Sequence, residues 1–183
     1  MSDANEMLRL LPAEGPASEF ADKMMLFGQF VGSWDLEILG HAPDGTRSQY
    51  TGEWHFAWVL DGRGIQDVLI VTPVSTAEND AAQGGKGSTL RVYDPHLDAW
   101  WISWMGPRDR EFSTLLGRSE GDRIVLEGQW ALGQPAKTWR WIFFGITPET
   151  FRWECRSFDD GADEGSVVQE IRARRRDPRR REI

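Results

Sequence analysis

The chain carries one cysteine, Cys155, in 183 residues, which excludes an intramolecular disulfide and any zinc site built from several thiolates. Its neighbours Phe151 and Trp153 mark it as a small buried hydrophobe. Histidine is scarce too. His41, His55 and His96 stand apart, without HxH or HExxH spacing, so no metal site built by the protein is expected. No apolar run approaches the roughly 20 residues of a membrane-crossing helix. The opening, MSDANEMLRLLPAEGP, lacks the basic start and long apolar centre of a secretory signal, so the expected location is cytoplasmic. The motifs of nucleophilic and phosphate chemistry are also missing. There is no Gly-x-Ser-x-Gly, and Cys155 has no histidine near it in sequence. Gly84-Gly85-Lys86-Gly87-Ser88 lacks P-loop spacing and follows a loop instead of a strand. A net charge of −8 argues against wholesale nucleic-acid binding. The arginine-rich end, Arg172 to Arg181, has no interleaved aromatics and so no stacking platform for single strands.

What the chain has in excess is tryptophan, ten residues of it. Trp brings a large apolar body and an N–H that wants a partner when buried. Such enrichment fits either a very aromatic core or a cavity that grips flat apolar molecules. The richest stretch is Thr89 to Met105, TLRVYDPHLDAWWISWM. Two β-prone runs flank the turn formers Asp94-Pro95-His96-Leu97-Asp98, which predicts a hairpin. Its second arm places Trp100, Ile102 and Trp104 on one face and Trp101, Ser103 and Met105 on the other. Both faces are apolar, so one lines the interior and the other must be covered. A symmetric homodimer across the outer face of the 99–105 strand is therefore expected.

The remaining chain has a regular rhythm. Residues 1–17 read as a flexible leader, and Ser18 caps a short helix to about Gly28 with Phe20, Met24 and Phe27 in one stripe. From Val31 the period is two. Trp34, Leu36 and Ile38 alternate with Asp35 and Glu37, and a long arm runs from Tyr50 to Leu60 before Asp61-Gly62, a strong hairpin signal. With Asp61-Gly62 as the loop, Trp58 faces Ile65, Phe56 faces Asp67 and Trp54 faces Leu69, all pointing one way. Residues 72–87 read as a mobile loop over one rim. Farther on, Trp139, Trp141 and Phe143 share a face, as do Phe151, Trp153 and Cys155. Pairing around residues 145–149 would join those faces. The pattern predicts an all-β fold: an antiparallel up-and-down β-barrel of about ten strands over residues 18–175, with a short N-terminal helix and a basic tail at 176–183.

Gly32-Ser33-Trp34 opens the first strand directly after the helix, and in this it resembles the lipocalin and calycin group. There a Gly-x-Trp at the same place plugs the closed end of the barrel, and a late arginine stacks on the ring. The resemblance implies that role for Trp34, with Arg172 or Arg174 as partner. Leu60-Asp61-Gly62-Arg63, Arg91-Val92-Tyr93-Asp94-Pro95 and the Ser157-to-Gly161 turn resemble bacterial lipocalin-like domains of uncharacterised function. Asp160-Gly161-Ala162 departs from the Gly-Gly and following Thr-Trp of that turn. The haem-binding barrels of the wider group open Gly-x-Trp-x-Gly-x-Gly and use a late histidine. Here the opening is Gly-Ser-Trp-Asp-Leu-Glu-Ile and no histidine follows His96, so haem is not expected, nor any other cofactor.

Strand parity supplies the candidate site. Trp54, Trp58, Trp104, Trp141, Phe143 and Trp153 are expected to form an aromatic wall. Tyr50 and Gln169 fall on inward parities and would add a hydroxyl and an amide. Asp67, among Trp54, Phe56, Trp58 and Leu69, must be paired, hydrogen-bonded or protonated. It is either a structural acid partnered by Arg91 or a polar anchor and general acid/base. Arg91 and Tyr93 share a face of the central hairpin, and by resemblance to fatty-acid-carrying barrels Arg91 would hold a ligand carboxylate. His55 falls opposite Trp54 and is expected outside. The expected function is binding of a small apolar or aromatic molecule in the barrel. The alternatives are a cofactor-free isomerase, cyclase or hydratase using Asp67 or Tyr93, and a solid barrel acting through its surface.

Overall fold

The computed structural model describes residues 4–74, 84–130, 138–158 and 165–177. Helix α1 (Ala4–Leu10) comes first; a 3-10 turn at Ser18–Phe20 then leads into α2 (Ala21–Gly28). The strands are β1 (Gly32–His41), β2 (Arg47–Val59), β3 (Gly64–Pro73), β4 (Gly85–Asp94) and β5 (Ala99–Gly106). They continue as β6 (Glu111–Glu120), β7 (Arg123–Trp130), β8 (Thr138–Phe144), β9 (Thr150–Phe158) and β10 (Ser166–Arg175). Each strand pairs antiparallel with its sequence neighbour and β10 returns to β1, which closes the barrel. No helix among the described residues is long and apolar enough to cross a membrane.

The alternation read from the sequence is the alternation of the walls. Trp34, Leu36 and Ile38 are buried while Asp35 and Glu37 are exposed. The β2–β3 register is the expected one, with Trp58 on Ile65, Phe56 on Asp67 and Trp54 on Leu69. The loop is longer than expected: the ladder ends at Val59 and Gly64, leaving Leu60 to Arg63. Leu60 and Asp61 both take left-handed φ (54° and 55°), and Leu60 and Arg63, which a two-residue turn would pair, are spent in the bend. On β5, Trp100 and Ile102 are buried and Trp101 is exposed, so the Trp100–Ile102–Trp104 face looks inward.

One end is shut. Met24 and Phe27 of α2 are buried, and Phe27 stands edge-on to Trp100 (5.0 Å) and Phe143 (6.1 Å). Trp34 donates its indole N–H to the Phe30 carbonyl at 2.7 Å. The arginine stacked on Trp34, 4.1 Å from its centroid, is Arg175, neither Arg172 nor Arg174. Those two point out because Ile171 and Ala173, which alternate with them along β10, point in. Arg175 also donates to the carbonyls of Val31 (2.9 Å), Gln29 (2.8 Å) and Pro148 (2.6 Å), tying the α2–β1 link and the β8–β9 turn to the plug.

The leader has more structure than its composition suggests. Beyond α1, Pro12 bridges Val59, Ala13 donates to the Trp58 carbonyl (2.9 Å) and Leu60 to that of Leu11 (3.0 Å). The segment thereby satisfies backbone groups at the end of β2. It crosses so close to Gly62 (φ 76°) that a Cβ there would meet the backbone of Gly15 to Ala17. The tip of the expected rim loop (75–83), residues 159–161 and tail residues 178–183 lie outside the described residues.

A fully buried ion pair sits in the interior between the two ends. Arg91 Nη1 donates to Asp67 Oδ2, and the Thr89 N–H donates to Asp67 Oδ1 at 3.2 Å. The guanidinium lies 5.2 Å from the Phe27 ring and 5.3 Å from Phe56. Two stability outcomes follow, both measured by urea unfolding. Arg91→Ala should cost about 3–5 kcal/mol by stranding the carboxylate, and Asp67→Leu combined with Arg91→Met should recover most of it. Arg175→Ala should cost about 2 kcal/mol through the lost ring contact and carbonyl bonds. Arg174→Ala, one residue away and outward, should stay within about 0.5 kcal/mol. Equal effects of the last two would remove the plug from the account.

Candidate functional site

Toward the other end, the one bounded by Gly40, Gly85, Gly106 and Glu111, the barrel opens into a cavity of about 500 Å³. Its wall is a run of four indoles held edge-to-face. Trp104 meets Trp141 at 6.0 Å, Trp141 meets Trp153 at 5.6 Å, and Trp153 meets Trp54 at 6.3 Å between centroids. These rings come from β5, β8, β9 and β2, and they converge because closure brings distant strands face to face across the interior. Bare backbone makes the room. The Trp104 ring lies over Gly87 of β4, where a Cβ would overlap its six-membered ring.

The floor of the cavity is aromatic as well. Trp54 stacks obliquely on Phe56 (5.0 Å) and on Phe143 (5.8 Å), with Phe151 5.9 Å away. The Asp67–Arg91 pair belongs to this filled region, and neither residue lines the cavity. Thr89 is the residue between, lining the cavity while its N–H holds Asp67.

Polar groups are few and specific. Tyr50 and Gln169 border the cavity, as does Cys155, whose thiol burial pushes up to about 12. At the mouth, Glu111 on the inner wall of β6 accepts the Trp104 indole N–H at 2.9 Å. Burial raises the Glu111 pKa, its bond to Trp104 acts the other way, and the neighbouring Asp109 charge raises it further. Asp109 and Lys86 complete the charged rim.

The structure therefore divides the expected site. Tyr50, Trp54, Trp104, Trp141, Trp153 and Gln169 line one cavity. Trp58 and Phe143 lie beyond its floor, Trp58 against Gly28 of α2 and Phe143 among Phe27, Phe30 and Trp54. Tyr93 is at the shut end, edge-on to Phe20 (5.6 Å), its hydroxyl donating to Asp98 Oδ1 at 2.6 Å beside Lys23. The bond to Asp98, followed by desolvation, raises the Tyr93 pKa. Glu111 and Trp139 also line the cavity without having been candidates. Trp139 carried a signal, since it shares its face with Trp141. Glu111 did not: the charged residue points in and its apolar neighbour Phe112 points out, 48% exposed.

On the outside of β1 and β2, His55 Nδ1 lies 2.8 Å from Ser33 Oγ and Nε2 lies 2.9 Å from Glu53 Oε2. Arg176 bonds both Glu53 (3.0 Å) and Asp35 and holds the Glu53 carboxyl below its usual range, with His55 adding to the effect. This network ties the C-terminal end of β10 to the opening strands. Among the described residues, no group of three or more His, Cys, Asp or Glu side chains is placed to hold a metal.

No protein-family model matches the chain, and no curated protein does. Solved structures do. The crystal structure of Rv2717c from M. tuberculosis superposes with a TM-score of 0.59 at 16% identity, over 86% of this chain and 99% of that one. The S-type phycobiliprotein lyase CPES from Guillardia theta gives 0.56 at 13% identity, over 88% and 99%. What this chain shares with both is the fold, a ten-stranded antiparallel barrel of the lipocalin-like kind.

Proposed function

We propose that the protein binds a small, flat, largely apolar molecule in the tryptophan-lined cavity. The observation that carries this reading is the unbroken run of four indoles along a cavity open at one end. Its volume, about 500 Å³, falls in the range of small-molecule sites, roughly 300–1,000 Å³. The choice of residue supports it as well. The indole N–H groups of Trp54 and Trp153 are sealed in the wall without an acceptor among the described residues. Each such group costs about 1–3 kcal/mol, and a wall built only to fill space would use Phe or Leu at no such cost.

Binding is favoured over turnover by what the expected catalytic groups are doing. The Asp67 carboxylate is taken up by Arg91 and the Thr89 N–H, and the Tyr93 hydroxyl is at the far end of the barrel. One structural neighbour is named a lyase, so catalysis in the same cavity is the second reading. It would run on groups the cavity itself presents, namely Glu111, Cys155 or Tyr50.

The test is titration with Nile red, a flat dye that brightens in apolar surroundings, followed by its own emission and by intrinsic Trp quenching. A saturable one-to-one transition at micromolar dye is expected. Trp141→Ala should weaken it about tenfold, the worth of one aromatic contact of about 1.4 kcal/mol, while Trp101→Ala on the outer wall leaves it unchanged. No saturable change, or equal loss in both variants, would count decisively against the cavity.

A further inference from the structure

Resting on that reading, we propose that the ligand carries a positively charged nitrogen, a substituted ammonium or a protonated heteroaromatic, that seats at the cavity mouth on Glu111. The carboxylate is the one acidic group on the inner wall of β6, and it is anchored, since Trp104 donates its indole N–H to Oε2 at 2.9 Å. Among the described residues its other oxygen accepts no hydrogen bond and has no ion-pair partner. Asp109 stands beside it with the same sign and also borders the cavity. The cavity these charges border is lined by the rings of Trp104, Trp141 and Tyr50, and an aromatic ring attracts cations most strongly where water is partly excluded. The opposing charges nearby are committed or turned away, and Arg108 at the same rim is bonded to the Gly84 carbonyl. Arg91 is beneath the floor and neutralised by Asp67. Lys86 is exposed and stands on the outward parity of β4, between inward Gly85 and Gly87. The cavity therefore combines carboxylates with indole rings, a combination that recognises organic cations and repels carboxylates.

The experiment uses three probes of one shape: 2-naphthylmethylamine, 2-naphthylmethanol and 2-naphthoate, each titrated by calorimetry at neutral pH. The amine should bind about tenfold more tightly than the alcohol, with the carboxylate weakest. Glu111→Gln keeps an acceptor for the Trp104 N–H. It should abolish the preference for the amine and leave alcohol binding within about twofold. An amine no tighter than the alcohol, or a preference that survives Glu111→Gln, overturns the proposal while the cavity reading stands. If none of the three probes binds, both fall together.

A separate observation carries a second inference. The outer wall of the barrel is divided by charge. Across β8, β9, β10, β1 and β2 it presents Arg140, Arg152, Glu154, Glu170, Arg172 and Glu37, among other charged side chains. From Gln66 to Ile70 on β3, Ser88 to Val92 on β4, Trp101 to Met105 on β5 and Phe112 to Leu116 on β6, the outward positions hold no charge. Trp101, Phe112 and Val68 there are 46%, 48% and 40% exposed. We infer that a second copy of this chain covers this face through a two-fold axis. An uncharged patch meets its own copy without like-charge conflict, and the rim carries both signs, Lys86 and Arg118 with Asp94 and Glu127. Four strands about 4.8 Å apart and five residues of about 3.4 Å give a patch on the order of 300–400 Å². That is about half of the roughly 800 Å² each partner buries in a stable interface, which leaves the polar rim to supply the remainder.

Light scattering coupled to gel filtration at micromolar concentration reads the outcome. Wild type should run as a dimer, and Trp101→Lys and Phe112→Lys as folded monomers with unchanged far-UV circular dichroism. Arg152→Ala on the charged half should remain a dimer. A monomeric wild type, or dimers that persist in Phe112→Lys, would overturn it.

Discussion

Closure of the sheet is the constraint on which everything else depends. Because β10 pairs with β1, no strand has a free edge and every side chain is committed to one of two faces. A two-layer sandwich could have hidden its tryptophans between flat sheets. A closed ring of ten strands must instead fill its interior or leave part of it hollow. This chain does both. The half next to α2 is packed with Phe27, Phe30, Phe56, Phe143 and Phe151 around Trp34, and the other half is left open between indoles.

The division between the halves is electrostatic as much as steric. Asp67 and Arg91 are both fully buried, and each would be costly alone; together, with the Thr89 N–H and two flanking phenyl rings, they form a neutral unit. The cavity above is thus shielded from an arginine that would otherwise dominate it, and its charged rim is formed by Glu111, Asp109 and Lys86. The indole N–H of Trp104 links the two kinds of surface by joining the aromatic wall to the carboxylate.

Much of this was legible from alternation alone, because parity decides in from out. The β2–β3 register and the inward Trp141 and Trp153 follow from it. On β5, apolar on both faces, parity leaves open whether the Trp104 or the Trp101 face looks in, and the shut end comes from the Gly32-Ser33-Trp34 resemblance. Parity does not report depth along the barrel axis. Asp67, Arg91 and Tyr93 share inward parity with Trp54 and Trp104, yet they lie at or beyond the floor. The same parity that turns Gln169 inward turns Arg175 inward, but in a run of arginines from Arg172 to Arg176 no composition signal selects it. Where polarity and parity disagree, as at Glu111 and Phe112, hydrophobicity misleads. The leader was illegible for another reason: its backbone bonds to Trp58, Leu60 and Gly62 are tertiary and leave no periodic trace.

Gly87 holds a particular place in this arrangement. Its missing side chain is the space in which the Trp104 ring rests, and the same ring delivers the N–H that fixes Glu111. A single methyl group on β4 would therefore act on shape and charge at once, tilting an indole and releasing a carboxylate two strands away. Substitution at this one position would reshape the cavity mouth while leaving Trp104 and Glu111 themselves unchanged.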